Sequence, residues 1–291
     1  MKTAILGAGK MGVWFAKFCK ENGDDVILAD RKEAKLTRLH KILDVETTTD
    51  FVQAVKAADR IMICVSISSF EEVVLKIGSA VRDGQTVMDI CSIKEYPVKV
   101  MHDNIKHGLV LGTHPVFGPG SKGVKRKTYV LTPTNAAEEK YAGEFKNWLE
   151  EEGARVFIME PKKHDELMTL VLGLPHFLGL IACEVLLDQK DFQKTKQVAG
   201  TTYRMLLTLA EATAMETPDL YANLQLNLPQ IGDIEQAYIS KAQEWLDLIK
   251  QKSPPAIADR MEQIRKKLLK EDPNFAKSYD DMYRMLEATE E

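Results

Sequence analysis

Short apolar runs alternate with amphipathic segments along roughly the first 160 residues of this 291-residue chain. The runs have the length and flanking turn residues of buried strands, and most segments between them have helical spacing. The pattern predicts strands over residues 3–6, 26–29, 61–65, 86–90, 109–112, 129–132 and 156–159. Such alternation is typical of an α/β fold with a doubly wound, mostly parallel sheet. Ser69 and Glu72 form a capping box, which predicts that one of the helices opens there.

After about residue 160 the strand signals stop and helical spacing continues to the end of the chain. Glycine and proline predict breaks between these helices near Gly200, at Thr217-Pro218, at Pro229 and at Pro254-Pro255. We therefore expect two domains, residues 1–160 with the sheet and residues 161–291 with helices alone. The charged, amphipathic end, residues 259–291, is typical of a surface or dimer-wrapping helix pair.

The longest apolar run, "LMTLVLGLPHFLGLIACEVLL" at residues 167–187, has the length of a membrane span. Glycine and proline interrupt it, and charged residues lie close to both ends. We expect a helix in the protein interior or in a dimer interface, and no membrane association.

Composition narrows the classes of function. The formal net charge is −4, so there is no electrostatic reason to expect nucleic-acid binding. The chain begins with a strand-like segment, and we expect no targeting peptide. Its four cysteines, Cys19, Cys64, Cys91 and Cys183, are far apart in sequence. They are expected to be reduced thiols in a cytoplasmic protein, and no metal site is expected.

The first motif with chemical content is "AILGAGKMG", which leaves a predicted strand and opens a predicted helix. Gly7 permits the tight turn, Gly9 lets a pyrophosphate approach the backbone, and Gly12 lets helix and strand pack closely. The next strand ends in Asp30, whose carboxylate can accept hydrogen bonds from a ribose and repels a 2′-phosphate. NAD is therefore the expected cofactor, although Arg31 leaves NADP possible.

Four polar residues stand where apolar ones would be ordinary. Ser92 and His114 follow predicted strands, at the sheet edge where this fold binds ligands. His176 follows Pro175 inside the apolar run, where the proline kinks the helix; it is either turned toward a cleft or a hydrogen-bonded core residue. Arg204 is one charge in an apolar helix and needs either a ligand anion or an acidic neighbour, for which Glu211 is available.

These residues carry a resemblance to the prephenate dehydrogenase family, which includes the arogenate dehydrogenases. It covers roughly residues 1–250, and its motifs are "GAGKMG" at 7–12, "DICSIK" at 89–94, "THPVFGP" at 113–119, "HDELM" at 164–168, "LPHFLG" at 174–179 and "YRMLLTLAE" at 203–211. Two positions depart from it. Ser66 stands where the family usually has a proline, and the tail beyond Pro255 has no counterpart.

The resemblance implies a Rossmann domain, a helical dimerisation domain that forms a homodimer, and an active site between them. It assigns His114 as the catalytic base, Ser92 as a neighbour that sets the imidazole tautomer, and His176 and Arg204 as substrate ligands. The implied reaction is NAD(P)-dependent oxidative decarboxylation of prephenate to 4-hydroxyphenylpyruvate in tyrosine biosynthesis. Expected cofactor contacts are Gly7, Gly9, Lys10, Met11, Gly12, Asp30, Arg31, Val65 and Ser66.

Three other functions fit parts of the sequence. Arogenate differs from prephenate by an amino group in place of a keto group, and no residue decides between the two substrates. A two-domain dehydrogenase acting on β-hydroxyacids or imines would use a lysine here, as Lys162 or Lys163 could provide, but would leave "THPVFGP" unexplained. A non-enzymatic dinucleotide-sensing regulator would keep the glycine loop but have no use for His114 and Arg204.

Overall fold

The structure is a computed structural model that describes residues 1–288, so the last three residues of the C-terminal segment lie outside the described residues. The chain divides into two compact units. The first contains residues 1–168 together with 218–229. The second contains residues 169–217 and the chain from residue 230 onward.

The first unit is built on one eight-stranded sheet of order β3-β2-β1-β4-β5-β6-β7-β8. Its strands are β1 Lys2–Leu6, β2 Asp25–Ala29, β3 Glu46–Thr48, β4 Arg60–Ile63, β5 Thr86–Asp89, β6 Leu109–Pro115, β7 Thr128–Thr132 and β8 Arg155–Ile158. Neighbouring strands are parallel except β6 and β7, which are antiparallel. The expected doubly wound, mostly parallel sheet is confirmed, and the order of its first six strands is that of a Rossmann fold.

Helices cover both faces of this sheet. They are α1 Lys10–Glu21, α2 Glu33–Leu43, α3 Phe51–Ala57, α4 Ile67–Ile77, α5 Glu95–Asn104, α6 Ala136–Glu151, α7 Pro161–Met168 and α11 Pro218–Asn227. Successive strand residues fall into two separate apolar clusters: Ile5 belongs to one, and Ala4 and Leu6 belong to the other. Burial on both faces explains why the strands form continuous apolar runs.

Three sequence predictions about this unit were wrong. Strand β3 was missed because its Glu-Thr-Thr sequence has no apolar residue and pairs only with β2 at the sheet edge. Strand β6 continues past residue 112, because residues 112–115 pair with β7. Helix α4 begins at Ile67 with Ser66 as its N-cap, so Ser69 lies inside the helix and the capping box does not form.

The second unit is helical. After a π-helical turn, Thr169–Gly173, its helices are α8 Leu174–Leu187, α9 Phe192–Gln197, α10 Thr201–Ala214, α12 Ile231–Lys250, α13 Pro254–Glu271 and α14 Ser278–Glu287. Each expected break separates two helices: α10 starts after Gly200, α11 at Pro218, α12 after Pro229 and α13 at Pro254. An all-helical C-terminal region is thus confirmed.

The long apolar run is not a helix of the chain's own interior. The helical segment Pro161–Leu187 is long and apolar enough to cross a bilayer by length and composition, yet only 11% of its most apolar stretch is buried inside the chain. Val171, Val185 and Leu187 are at least half exposed. The interior alternative is therefore wrong, because α10 and α12 contact α8 but leave most of this surface exposed in the described chain, and the dimer-interface alternative stays a prediction.

Candidate active site

The glycine turn has the geometry that the motif predicts. Gly7 has φ +107°, and a Cβ there would lie 2.6 Å from the carbonyl oxygen of Cys64. A Cβ on Gly12 would lie 1.8 Å from the carbonyl oxygen of Gly7. A Cβ on Gly9 would meet nothing nearer than 4.0 Å. The first and third glycines are thus required by the protein's own backbone, whereas Gly9 leaves open space at the start of α1, as close approach of a pyrophosphate demands.

Asp30 joins this turn to the end of β2. Its Oδ2 accepts a hydrogen bond from the Ala8 backbone N–H at 2.9 Å, and its Oδ1 accepts one from Lys32 at 3.0 Å. A cavity of about 280 Å³ opens beside it at the carboxyl ends of β1, β2 and β4. Its lining residues are Gly7, Gly9, Asp30, Arg31, Lys32, Lys35, Thr49, Phe51, Cys64, Val65, Ser66, Ser69, Glu72, Val73 and Lys76.

This cavity contains most of the expected cofactor contacts, and Lys10, Met11 and Gly12 follow directly in the first turn of α1. The donor set fits a dinucleotide: backbone N–H groups at a helix start for phosphate, and a carboxylate for ribose hydroxyls. A second depression, of about 320 Å³, lies at the amino ends of β1 and β2. Parallel sheets do not bind ligands at that edge, so we assign it no role.

His114 lies near the carboxyl end of β6 and is only 3% exposed. Its Nδ1 is 2.8 Å from Nε2 of His164, and the two rings meet edge to face. The Nδ1 of His164 is 2.7 Å from Oδ1 of Asp165, the next residue on α7. These contacts form a chain from Asp165 through His164 to His114.

Both histidines are neutral near pH 7. Burial lowers the pKa of His114 well below 6.5, and the nearby His164 and Lys94 lower it further. Burial also lowers the pKa of His164, although its hydrogen bond with Asp165 opposes the shift. An unfolded chain takes up protons at histidines near pH 6.5, whereas this folded site resists protonation. Both residues therefore make the fold less stable as the pH falls below 6.5.

A buried lysine ties the loop after β5 to the strand that carries His114. The ammonium of Lys94 donates to the carboxylate of Asp89 and, at 2.5 Å, to the carbonyl oxygen of Thr113. Asp89 in turn accepts the Thr113 backbone N–H at 3.2 Å. Ser92 is a partly buried residue of this loop. The loop and His114 are thus held to each other by groups fully shielded from water.

His176 and Arg204 belong to the second unit. His176 lies in the first turn of α8, directly after the π-helical turn, and its Nδ1 donates to the carbonyl oxygen of Leu172 at 2.6 Å. Arg204 is a half-buried residue of α10. Glu211, its predicted neighbour, accepts a hydrogen bond from Lys196 at 2.9 Å. The substrate-binding roles of His176 and Arg204 stay predictions.

Comparison with known proteins gives the family. The family model described as the nucleotide-binding domain of prephenate dehydrogenase matches residues 15–158, and the one described as its dimerization domain matches residues 160–263. Together they span most of the sequence. The chain belongs to the prephenate dehydrogenase family. The resemblance carried by the sequence motifs is thereby confirmed.

Individual relatives agree with this family. A probable arogenate/prephenate dehydrogenase of Methanocaldococcus jannaschii is 33% identical over 270 residues, which cover 91% of this chain and 60% of the relative. A cyclohexadienyl dehydrogenase of Zymomonas mobilis is 24% identical over 251 residues, or 81% of this chain and 84% of the relative. The chain thus spans about 60% of the length of the first of these proteins.

A solved structure shares the fold. The prephenate dehydrogenase from A. aeolicus, in complex with hydroxyphenyl propionate and NAD⁺, superimposes with a TM-score of 0.76 at 19% identity. The match covers 94% of this chain and 98% of that one. The Rossmann domain and the helical region therefore occur together in a prephenate dehydrogenase of known structure.

Sequence reasoning missed four residues of this candidate site: Asp89, Lys94, His164 and Asp165. All four lie in the motifs "DICSIK" and "HDELM", which were noted for resemblance but given no chemical role. A signal was present for Asp89 and Lys94, because these two charged residues enclose the mostly apolar residues "ICSI". His164 and Asp165 lie in the polar stretch "KKHDE", which gives no such signal. Lys162 and Lys163, suggested for a rival dehydrogenase class, are exposed on α7, where Lys163 pairs with Glu166 at 3.3 Å.

Proposed function

We propose that this protein is an NAD-dependent prephenate dehydrogenase that couples oxidation of the ring alcohol to decarboxylation, yielding 4-hydroxyphenylpyruvate. The observation that carries the proposal is a buried, neutral histidine, His114, near the carboxyl end of β6 in a dinucleotide-binding sheet. Family membership gives the substrate class. Arogenate is the alternative substrate, which the combined name of the M. jannaschii relative keeps open.

The residues would divide the work as follows. NAD, when bound along the glycine turn, supplies the hydride acceptor. His114 accepts the proton of the ring hydroxyl at Nε2 as that carbon is oxidised, and carbon dioxide leaves with formation of the aromatic ring. The proton on His114 then returns to the phenolate oxygen, so no net proton is taken up. A base of this kind contributes about 10²- to 10⁴-fold to the rate.

Ser92, His176 and Arg204 complete the proposed site. Ser92, in the loop tied to β6 by Lys94, would lie near the imidazole and the nicotinamide. The tautomer role expected of Ser92 is better supported for His164, because Nδ1 of His114 is 2.8 Å from Nε2 of His164. Arg204 would bind a substrate carboxylate through two parallel hydrogen bonds, and His176 would donate to the side chain of the substrate. Of these three residues, Arg204 is the one whose side chain has a planar pair of donors that matches a carboxylate.

The test is a four-way assay of the purified chain with prephenate or arogenate and NAD or NADP. We expect reduced cofactor to accumulate with prephenate and NAD, together with 4-hydroxyphenylpyruvate. Turnover with arogenate alone would transfer the proposal to the alternative substrate. Reduction of cofactor with neither substrate would refute the proposed function.

NAD is expected to support turnover better than NADP, because the Asp30 carboxylate repels a 2′-phosphate. Replacing Asp30 by serine should narrow the ratio of the two kcat/KM values by roughly tenfold, equivalent to ~1.4 kcal/mol. Arg31 and Lys35 line the same cavity and can then receive the phosphate. Asp25→Ser, at the opposite end of β2, is the matched control and should leave the ratio unchanged. A wild-type preference for NADP would contradict this assignment.

We further propose that the helical unit forms a homodimer by covering its apolar surface with a second copy of the chain. Helices α12 and α13, which lie wholly within the described residues, contain no buried residue. Ile181, Val185 and Leu187 of α8 are 40–60% exposed. The matching family model is described as a dimerization domain, which favours a second copy over a membrane as the occupant. A cytoplasmic location fits this assembly.

Replacing Val185 by glutamate is expected to convert the dimer to a monomer, because a carboxylate buried without a partner is costly. Sedimentation velocity measures the change. Ile42→Glu introduces the same charge at an apolar position on α2 that is 66% exposed, compared with 56% for Val185, and should remain dimeric. A monomeric wild-type chain, or one that sediments with added phospholipid vesicles, would contradict the dimer.

A further inference from the structure

The contact between His114 and His164 decides which nitrogen of His114 carries its proton. A neutral imidazole has one N–H donor and one bare nitrogen acceptor, so the state of one ring fixes that of a hydrogen-bonded neighbour. His114 and His164 are such a pair, joined through Nδ1 and Nε2 at 2.8 Å. The tautomer of His114 therefore depends on which nitrogen of His164 carries the proton.

Asp165 decides which nitrogen that is. Its Oδ1 accepts the backbone N–H of Lys94 at 2.7 Å, and its Oδ2 accepts that of Glu95 at 2.9 Å. These two donors at the start of α5 hold the carboxylate in place as an acceptor. The third contact, 2.7 Å from Oδ1 to Nδ1 of His164, then requires the proton to be on that nitrogen.

The position of the proton on His164 in turn fixes the position of the proton on His114. With its proton on Nδ1, neutral His164 presents a bare Nε2 to its neighbour. His114 must donate from Nδ1, and its own Nε2 is left with a free lone pair. We propose that Asp165 and His164 are positioning residues that keep His114 in the one tautomer able to accept a proton at Nε2.

The same arrangement serves the protonated state. When Nε2 of His114 takes a proton, its Nδ1–H remains directed at His164, with the carboxylate of Asp165 behind. Lys94 and Asp89, which lie beside the two histidines, form a buried ion pair with each other. The hydrogen bond from His164 places the carboxylate of Asp165 next in line, where its negative charge favours the imidazolium, by the reasoning that applies to the aspartate of a Ser-His-Asp triad.

Protonation of His164 would reverse the arrangement. Both of its nitrogens would then donate, so His114 would have to accept at Nδ1 and carry its proton on Nε2. That form cannot act as the base. The acid side of the pH profile therefore belongs to the coupled pair, and a single histidine does not set it.

Nitrogen NMR of the full chain labelled with ¹⁵N-histidine tests the tautomer directly. The chain has six histidines, and the His114 signals are assigned from their loss in His114→Asn. At pH 7.5 we expect a protonated Nδ1 and an unprotonated Nε2 on His114, and a mixture of both tautomers in Asp165→Ala, which has no acceptor for His164. A wild-type His114 with bare Nδ1 overturns the proposal.

This inference rests on the proposed function for its catalytic meaning, and the NMR result keeps the two separable. If the chain shows the expected tautomer but no dehydrogenase activity, the roles of Asp165 and His164 in setting the tautomer are supported and the proposed function is refuted. If the chain is active but His114 has the opposite tautomer, the proposed function is supported and the positioning roles of Asp165 and His164 are refuted.

A set of variants tests the effect on turnover. In Asp165→Ala the carboxylate that holds the proton on Nδ1 of His164 is absent, so neither tautomer of the pair is enforced; kcat should fall by about 10²-fold or more, since removing the comparable aspartate of a serine protease costs ~10⁴-fold. His164→Gln should retain kcat within about tenfold, because its amide can donate to Asp165 and accept from His114. His164→Phe has no acceptor for His114 and should match Asp165→Ala.

The matched control is Asp50→Ala, which makes the same change in an aspartate that caps α3 through the N–H groups of Val52 and Gln53. It should lower the melting temperature slightly and leave kcat at saturating substrate unchanged. A purely structural role predicts that Asp165→Ala behaves like this control, or that His164→Gln is as impaired as His164→Phe. Either result overturns the proposal.

Discussion

Replacing His114 by asparagine is expected to lower kcat by about 10²-fold or more while the fold and cofactor binding are retained. Asparagine cannot take up the hydroxyl proton. Because burial holds the pKa values of both His114 and His164 below 6.5, wild-type kcat should decline only at pH values below that point, as either ring of the pair becomes protonated. The variant should show no such decline. Steady-state kinetics over a pH series measures both effects.

His102→Asn is the control, since His102 lies on α5 in the same unit and hydrogen-bonds Glu138. That contact raises the pKa of His102 above 6.5. Its stabilisation is complete below pH 6.5 and disappears as the pH rises through the raised value, so the control should lose stability mainly in acid. Its kcat should be unchanged. If His114→Asn retains wild-type kcat, or keeps the acid decline, His114 has only a structural role.

Replacing Arg204 by glutamine is expected to raise KM for prephenate by roughly 10- to 150-fold and to leave KM for NAD nearly unchanged. A hydrogen-bonded pair with a charged group contributes about 1.5–3 kcal/mol, which gives this range. Arg204→Lys should recover little, because an ammonium cannot present two parallel donors to a carboxylate. Initial rates at varied prephenate and at varied NAD separate the two constants.

Arg260→Gln provides the comparison within the same unit, since Arg260 forms an exposed ion pair with Glu244 at 2.8 Å. It should change neither constant. The competing interpretation gives Arg204 a stabilising role, and it predicts a lower melting temperature for Arg204→Gln with near-normal KM. That pattern would defeat the substrate-binding role. Glu211, which the sequence suggested as an acidic neighbour of Arg204, accepts a hydrogen bond from Lys196.

The elements that the sequence predicts well are those that bury apolar residues locally. All seven predicted strands form, and helix breaks occur at the expected glycines and prolines, because continuous apolar runs and backbone restrictions are local properties. The glycine turn is equally predictable, since Gly7 and Gly12 are required by contacts within one βα unit. The short strand β3 forms by pairing with an edge, which apolar periodicity does not encode.

The site is harder to predict because its contacts join distant parts of the chain. His114 and His164 are 50 positions apart, and Lys94 and Asp165 are 71 apart. Spacing along the sequence carries no information about such pairs. The exposed apolar face of α8 is a similar case: its composition predicts burial, but the described part of the chain leaves it largely exposed, and the proposed second copy would cover it.

The most direct test of the central claim follows the fate of a hydrogen atom. Prephenate carrying deuterium at the ring carbon that bears the hydroxyl is incubated with NAD and the purified wild-type chain. We expect deuterium to appear in the reduced nicotinamide, with equal amounts of carbon dioxide and 4-hydroxyphenylpyruvate. Reduced cofactor without deuterium, or carbon dioxide release without cofactor reduction, would contradict the account.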